Sequence, residues 1–126
     1  MSTIPSVLVV DDDEDLRLLC RLHLEKGGVA VMQASNGLEA VERARTERPD
    51  LILLDLMMPV MDGWECLAVL KSDPDLRDIP VFVITGKTQR TDQDRAFASG
   101  AEAFISKPFV GADLVASVRE RVAAAA

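Results

Sequence analysis

Residues 51–67, LILLDLMMPVMDGWECL, determine how this chain folds. They open with four consecutive apolar residues, Leu51–Leu54, and an acid, Asp55, follows directly. A short run that is apolar throughout, rather than at every second position, is typical of a strand buried on both faces. Asp62 and Glu65 then have the spacing of a helix cap and its partner three residues on. The stretch therefore predicts a buried strand, an acid at its carboxyl end, and a helix.

Similar apolar runs recur on both sides of this stretch, and segments with helical periodicity separate them. The further predicted strands are Val7–Val10, Val29–Gln33, Val81–Ile84 and Ala103–Ile105. The predicted helices are marked by Leu16, Leu19, Cys20 and Leu24 in the first, Ala40, Val41 and Ala44 behind an Asn36–Glu39 cap in the second, Leu67 and Leu70 in the third, Thr91–Ser99 as the fourth, and Leu114, Val115, Val118 and Val122 in the last. This alternation predicts an α/β fold, a doubly wound parallel sheet with helices on both faces. The chain length suits the five-stranded flavodoxin-like strand order, 2-1-3-4-5.

Composition excludes several classes of protein. The 126 residues suit one domain, and we expect residues 1–126 to form it with no output domain. The net charge of −7 argues against a nucleic-acid or anionic-membrane partner, since both need a basic face. No apolar run approaches the roughly 18 residues of a membrane span, and the N-terminus has no signal-peptide pattern, so we expect a cytoplasmic protein. Cys20 and Cys66 have no metal-ligand spacing and are expected to be small, buried hydrophobic residues.

Acidic residues follow two strands that are neighbours in the predicted sheet. Asp11, Asp12 and Asp13 follow the first strand, and Asp55 follows the third. In sheets of this order, ligands bind outside the carboxyl ends of the strands, at the point between strands 1 and 3. Two charges about 4 Å apart repel by roughly 4 kcal/mol at an effective dielectric near 20, so such a cluster requires protons or a cation. Oxygen ligands without His or Cys favour a hard divalent ion, here Mg²⁺, while Asp13 is expected to cap the first helix.

Two further strand ends add a hydroxyl and a cation to this crevice. Thr85 ends the fourth predicted strand, and Lys107 ends the fifth, just before Pro108. A carboxylate that accepts a phosphoryl group requires a metal, a cation and a hydroxyl donor to the phosphoryl oxygens. Each residue taken singly has an ordinary explanation, a turn threonine or a solvated lysine. Their joint position beside Asp55, which ends the central strand, favours phosphoryl chemistry on that residue.

Four segments resemble the receiver domain of bacterial response regulators in their order and spacing. They are VLVVDDDED, LILLDLMMPVMDGWECL, VFVITGK and GAEAFISKPF, and they cover nearly the whole chain. The resemblance implies that Asp55 is the phosphoacceptor of a two-component phosphorelay. It also implies that Asp12 and Asp55 bind Mg²⁺ directly, that Asp11 assists through water and that Met57 contributes its backbone carbonyl. Lys107 would bind the phosphoryl group and form a cis bond to Pro108. Thr85 and Phe104 would form the switch pair.

The resemblance further implies partners and a mode of output. The phosphoryl donor would be a sensor histidine kinase or a histidine phosphotransfer protein, and the output would be binding of a downstream protein. The family's readout surface is helix 4, strand 5 and helix 5, here about residues 91–124. The protein would not be an enzyme, apart from catalysing its own phosphorylation and the slow hydrolysis of its aspartyl phosphate. Met57 and Lys87 occupy positions that affect the rate of this hydrolysis in the family. Phe104 has no hydroxyl where many members carry Tyr, so any step that relies on that hydrogen bond is absent.

The acidic pattern has three other possible interpretations. A haloacid-dehalogenase-like phosphatase requires an acid two residues after the nucleophile, where this chain has Met57. An EF-hand loop that starts at Asp11 would place Leu16 and Leu22 at the glycine and glutamate positions. A third interpretation, a receiver-like interaction module that acts without phosphorylation, is not excluded by the sequence. Such modules usually lack one of the acids, the threonine or the lysine of the site, and this chain has all of them.

Two residues outside the motif carry expectations of their own. His23 lies on the first helix, away from the strand ends, and is expected to be a surface residue rather than a phosphodonor. Trp64 opens the third helix and is expected to pack near the pocket. The Ala-rich end of the chain suggests a stand-alone receiver, with a piece of a longer regulator as the alternative.

Overall fold

Strand and helix alternate in the computed structural model, which describes residues 4–58, 60–86 and 89–124. The strands are β1 (Ser6–Val10), β2 (Ala30–Ala34), β3 (Leu51–Leu54), β4 (Val81–Thr85) and β5 (Ala103–Ser106). The helices are α1 (Glu14–Lys26), α2 (Gly37–Glu47), α3 (Gly63–Ser72), α4 (Arg90–Ala98) and α5 (Gly111–Ala124). Neighbouring strands pair in parallel in the order β2-β1-β3-β4-β5, so the predicted flavodoxin-like sheet is confirmed. Lys87 lies outside the described residues.

Helices cover both faces of the sheet, because its central strands carry apolar side chains at nearly every position. β3 and β4 are buried throughout, and β1 is buried after Ser6. One core cluster combines the sheet with α2, α3 and α4, and the other combines it with α1 and α5. Cys66 belongs to the first cluster and Cys20 to the second, and both are buried as expected. Within the described ranges, no helix has the length and apolar character to cross a membrane.

Three helices begin at the caps that the sequence predicts. Asp13 accepts a hydrogen bond from the backbone N–H of Asp15 at 3.0 Å. Asn36 and Asp62 each accept one from the N–H three residues further on, at 2.9 Å. These caps satisfy N–H groups that the first helical turn leaves without a partner. As a result, α1 begins within a few residues of the end of β1, and the intervening acids stay at the edge of the sheet.

Two residues of α1 differ from expectation. Leu19, predicted to face the core, is 45% exposed, because the helix buries only the narrower stripe that contains Cys20 and Leu24. His23, expected at the surface, is half-buried with its ring against Gly111 at the start of α5. A Cβ at Gly111 would collide with that ring, so the glycine makes room for it. Contacts of this kind, between the first and last helices, have no local sequence signal.

Element boundaries differ by one residue from the predicted ranges at a few places. β2 and α4 each shift by one residue, to Ala30–Ala34 and Arg90–Ala98. Gln89 precedes α4 without a side-chain cap, so no local signal marks where that helix starts. β5 ends at Ser106, and Lys107 follows the strand rather than ending it, since Pro108 has no N–H to extend the ladder. The predicted cis bond between Lys107 and Pro108 is confirmed.

Candidate functional site

The carboxylates of Asp11, Asp12 and Asp55 meet at the carboxyl edge of the sheet. Val10 pairs with Leu54, and the N–H of Asp55 donates to the carbonyl of Val10 at 3.0 Å. The chain therefore leaves β1 and β3 at the same level. One carboxylate oxygen from each of the three acids lies within 4.8 Å of the other two. Asp11 and Asp55 are only 1% and 4% exposed, whereas Asp12 is exposed.

Hydrogen bonds hold the two buried carboxylates in place. The N–H of Asp13 donates to Asp11 Oδ1 at 2.9 Å, and the N–H of Met57 donates to Asp55 Oδ1 at 3.1 Å. Lys107 Nζ donates to Asp11 Oδ2 at 2.8 Å and lies 3.4 Å from Asp55 Oδ2. One ammonium thus bridges both acids. The role of the Met57 carbonyl as a metal ligand stays a prediction.

The pKa values of Asp11 and Lys107 are both shifted in this cluster. Desolvation raises the pKa of Asp11 above its usual 3.8, and the hydrogen bond from Lys107 opposes only part of that effect. Burial also acts to lower the pKa of Lys107, but the hydrogen bond to Asp11 and the charge of Asp55 outweigh it, so this pKa is raised. Three carboxylates therefore face one firmly protonated lysine. An all-oxygen donor set with excess negative charge fits Mg²⁺.

Thr85 and Phe104 lie on the strands that lead to Lys107. The N–H of Lys107 donates to the carbonyl of Thr85 at 2.9 Å, which ties the end of β4 to the residue after β5. Thr85 is fully buried at this edge. Phe104 pairs with Val83, two residues before Thr85, and its half-buried ring packs on the core cluster of α2, α3 and α4. The structure thus places Thr85 beside Lys107 at the edge of the sheet, and Phe104 lies further from that edge, at the level of Val83. The switching role of Thr85 and Phe104 stays a prediction.

Gly63 fixes the start of α3 against the acid that ends β3. Its N–H donates to the carbonyl of Leu56 at 3.1 Å. A Cβ built on Gly63 would collide with the backbone carbonyl of Asp55 and with the Cα of Leu56. Only glycine fits this close approach of two backbones. The position of Asp55 therefore depends on a residue eight places further along the chain.

No pattern in the sequence singles out Arg17, yet its side chain braces the acid cluster. Arg17 Nη1 donates to the backbone carbonyl of Asp11 at 2.6 Å, and Arg17 Nε donates to Gln33 Oε1 at 3.2 Å. These bonds hold the turn after β1 against the end of β2. The available signal is weak: Arg17 lies one helical turn after the cap Asp13, which places both on the same side of α1.

A groove of about 500 Å³ lies beside the exposed acid of the cluster. Its walls are formed by Asp12, Leu56, Met57, Met58, Asp62, Trp64 and Arg95. The guanidinium carbon of Arg95 lies 4.0 Å from the centroid of the Trp64 ring, which is within cation–π distance. Trp64 is half-buried and packs against the core, as expected near the pocket. The contact with Arg95 was not foreseeable, because it joins α3 to a distant helix.

Comparisons with known proteins agree with this geometry. A model of the response regulator receiver domain matches residues 7–119. The chain is 43% identical over 103 residues to the polar-differentiation response regulator DivK of Brucella anthropi, which covers 82% of this chain and 84% of DivK. It is 38% identical over 115 residues to the DNA-binding dual master transcriptional regulator RpaA of Synechocystis sp., which covers 91% of this chain but 48% of that protein. The fold matches the chemotaxis protein CheY4 of Vibrio cholerae with a TM-score of 0.88 and 29% identity, over 94% of this chain and 98% of CheY4.

The family match includes every residue that the structure brings to the carboxyl edge of the sheet. It begins at Val7, before the first acids, and extends beyond Lys107. Receiver domains of this family are signalling modules rather than classical enzymes. The chain belongs to the response regulator receiver domain family, the receiver module of two-component signalling.

Proposed function

We propose that this receiver accepts a phosphoryl group on Asp55 from the phospho-histidine of a sensor histidine kinase or a histidine phosphotransfer protein. The observation that carries the proposal is the single ammonium of Lys107 within 3.4 Å of carboxylate oxygens of both Asp11 and Asp55. Together with Asp12, this gives a pocket with three carboxylates and one cation. Such a pocket suits a divalent cation and a phosphoryl group together. In the proposal, Asp12, Asp55 and the Met57 carbonyl would hold Mg²⁺ directly, and Asp11 would assist through water.

Asp55 acts as the nucleophile because its carboxylate is the less engaged of the two buried ones. Lys107 Nζ lies 2.8 Å from Asp11 but 3.4 Å from Asp55. An Asp55 oxygen attacks the phosphorus, the P–N bond breaks, and its electron pair stays on the departing imidazole nitrogen. Lys107 and the Thr85 hydroxyl donate hydrogen bonds to the phosphoryl oxygens. Mg²⁺, when bound, supplies positive charge that offsets the charge of the phosphoryl oxygens.

The acyl phosphate on Asp55 then changes the surface formed by α4, β5 and α5, about residues 91–124. Thr85 lies at the end of β4, and the backbone bond from Lys107 ties it to the segment that follows β5. A shift of the Thr85 hydroxyl toward the phosphoryl group is accompanied by an inward movement of the Phe104 ring. Because Phe104 has no hydroxyl, the movement acts through packing alone. Water then hydrolyses the acyl phosphate slowly and regenerates the carboxylate.

The proposal also defines the setting in which the protein acts. Its output is binding of a downstream protein target, since a net charge of −7 does not suit direct binding of nucleic acid or of a membrane surface. The phosphodonor and the target meet it in the cytoplasm. Residues 7–119, which match the receiver domain model, act as one receiver domain.

Phosphorylation by a small donor tests this function. The protein is incubated with acetyl phosphate and Mg²⁺ and weighed intact by mass spectrometry. We expect the mass of one phosphoryl group on the wild type and none on Asp55→Asn or after addition of EDTA. Asp78→Asn, which removes an exposed acid from the loop before β4, is the matched control and is expected to behave as wild type.

Two outcomes contradict the proposal in different ways. No added mass on the wild type, under conditions that modify a known receiver, would favour a receiver-like interaction module that acts without phosphorylation. Modification that persists in Asp55→Asn would show that another residue is the acceptor.

A further inference from the structure

The groove beside Asp12 is lined by charges of both signs. Asp12 and Asp62 contribute carboxylates, and Arg95 of α4 contributes a guanidinium. Lys107, which bridges the buried acids, is not among the residues that line it. A ligand in this groove therefore has Arg95, rather than Lys107, as its neighbouring cation.

Arg95 is held in the groove by an aromatic ring rather than by a carboxylate. Its guanidinium carbon lies 4.0 Å from the Trp64 centroid, and within the described ranges it forms no ion pair. Arg90, on the same helix, instead lies 4.0 Å from Asp94. An aromatic ring does not neutralise the guanidinium charge and occupies few of its N–H donors. The charge and most N–H donors of Arg95 are therefore available to an oxyanion. Contact with the ring also restricts the side chain before any ligand arrives, which lowers the entropic cost of binding.

An anionic phosphodonor meets an electrostatic barrier at this site. One carboxylate oxygen from each of Asp11, Asp12 and Asp55 lies within 4.8 Å of the other two, and Asp62 lines the same groove as Asp12. Like charges at this density repel a phosphoryl group that approaches from solvent. The Arg95 guanidinium, on the wall of the groove beside Asp12, offsets that repulsion and matches phosphoryl oxygens with two N–H donors at once.

We infer that Arg95 binds the phosphoryl oxygens of the incoming phosphodonor, with the Trp64 ring holding it in the groove. The inference rests on the proposed function, because it names how the donor is recognised at the Asp55 site. Acyl phosphates and phospho-histidine share the same terminal phosphoryl group, so Arg95 recognises both. Arg95 is thus a binding residue for the donor and takes no part in holding the metal.

Rates of Asp55 modification with two donors, acetyl phosphate and phosphoimidazole, test this role at saturating Mg²⁺. Arg95→Gln is expected to lower the second-order rate constant for both donors by about threefold to tenfold, the range for loss of a partly exposed charge-assisted contact. It should also weaken the dependence of that constant on salt, since a steering charge is lost. Arg95→Lys keeps the charge but loses the paired N–H donors of the guanidinium, so its rate constant is expected to lie between those of wild type and Arg95→Gln. Arg90→Gln removes the same charge from the same helix outside the groove and is expected to match wild type.

The affinity for Mg²⁺ separates this role from a structural one. Trp64 is the single tryptophan of the chain and lines the same groove as Asp12, so we expect its emission to report binding of Mg²⁺. Loss of a cation from the groove is expected to leave the Mg²⁺ midpoint unchanged or to tighten it, whereas misfolding would weaken it. Equal rates for Arg95→Gln and Arg90→Gln would overturn the inference, and so would a weakened Mg²⁺ midpoint in Arg95→Gln. An effect confined to acetyl phosphate would also overturn it, because the acyl group would then be what Arg95 recognises.

Binding of inorganic phosphate keeps the two proposals distinguishable. Phosphate is titrated into the Mg²⁺-saturated protein, and Trp64 emission is followed in wild type, Arg90→Gln and Arg95→Gln. If the wild type is not phosphorylated but binds phosphate through Arg95, the proposed function fails and the role of Arg95 as an oxyanion-binding residue stands. If the wild type is phosphorylated and Arg95→Gln changes neither the rates nor phosphate binding, the proposed function stands and the inference fails. Absence of both phosphorylation and phosphate binding in the wild type overturns both.

Discussion

Lys107 Nζ lies 2.8 Å from Asp11 Oδ2, although 96 positions of the chain separate the two residues. The contact joins the ends of β1 and β5, which are not neighbours in the sheet. It also sets the ammonium beside Asp55, so one cation serves acids that follow two different strands. The pair therefore stabilises the fold and shapes the site at the same time.

Replacement of Lys107 is expected to destabilise the metal-free protein. In Lys107→Gln, the buried carboxylate of Asp11 loses its cation, which costs about 1 to 3 kcal/mol of unfolding free energy. Mg²⁺ should restore more stability to the variant than to wild type, because the ion replaces the missing charge. Urea unfolding in EDTA and in Mg²⁺ measures both effects. Lys26→Gln, at an exposed site near the end of α1, is the control, and equal stability of the two variants would contradict this role of Lys107.

Gly63→Ala is expected to weaken the fold and the metal site together. The new Cβ would collide with the Asp55 carbonyl, and relief of the collision moves either α3 or the end of β3. Overpacking of this kind costs about 1 to 3 kcal/mol. Gly86→Ala is the matched control, since a Cβ there meets no atom of the described residues within 4 Å beyond its chain neighbours. Urea unfolding and a Mg²⁺ titration measure the two losses, and a Gly63→Ala variant as stable as Gly86→Ala would refute the close approach.

Val60 is expected to be a site where substitution stabilises the protein. Its φ of 69° lies in the left-handed region, which is unfavourable for a β-branched residue, and its side chain is 79% exposed. Val60→Asn places a residue that tolerates this conformation, with an expected gain of about 1 kcal/mol. Ile4→Asn changes a β-branched residue that is 70% exposed, has no positive φ and lies before β1, so it should bring no such gain. Thermal or urea unfolding of the two variants decides, and an equal change in both would count against backbone strain at Val60.

The thiol of Cys66 is expected to make the stability depend on alkaline pH. Burial, with a smaller effect from the charge of Asp62, raises the pKa of Cys66 from 9.0 to about 12. Between these values the unfolded chain loses a proton that the folded chain keeps, so stability falls as pH rises above 9. The slope approaches about 1 kcal/mol per pH unit for one such group. Urea unfolding at pH 8.5 to 10.5 should give a shallower slope for Cys66→Ala than for wild type, and parallel slopes would show that Cys66 is not responsible.

The parts of the fold that the sequence predicts best are those where local pattern and burial agree. Leu51–Leu54 and Val81–Thr85 are apolar at nearly every position and lie in the middle of the sheet, with helices on both faces. β5 is at an edge and only half-buried, so its pattern is weaker, and its two predicted ends, Ile105 and Lys107, lie one residue on either side of Ser106. Periodicity predicts that Leu19 faces the core, yet Leu19 is 45% exposed, because periodicity does not show how wide a stripe of the helix the neighbouring elements cover.

The residues of the candidate site also differ in how well the sequence predicts them. The acids, Thr85 and Lys107 were predictable because the carboxyl ends of parallel strands converge, which the topology requires. Arg17 and Arg95 were not, since each acts through a contact with a residue distant in the chain. The conformation of Val60 also had no signal, because left-handed positions are usually recognised by Gly or Asn.

Chemical trapping of the acyl phosphate identifies the acceptor most directly. Protein treated with acetyl phosphate and Mg²⁺ is reduced with borohydride, which converts an aspartyl phosphate to homoserine, and is then digested and sequenced by tandem mass spectrometry. We expect homoserine at position 55 and aspartate at positions 11, 12 and 13, with no conversion in Asp55→Asn. Homoserine at any of the other acids, or conversion that persists in Asp55→Asn, would contradict the assignment of Asp55 as the phosphoacceptor.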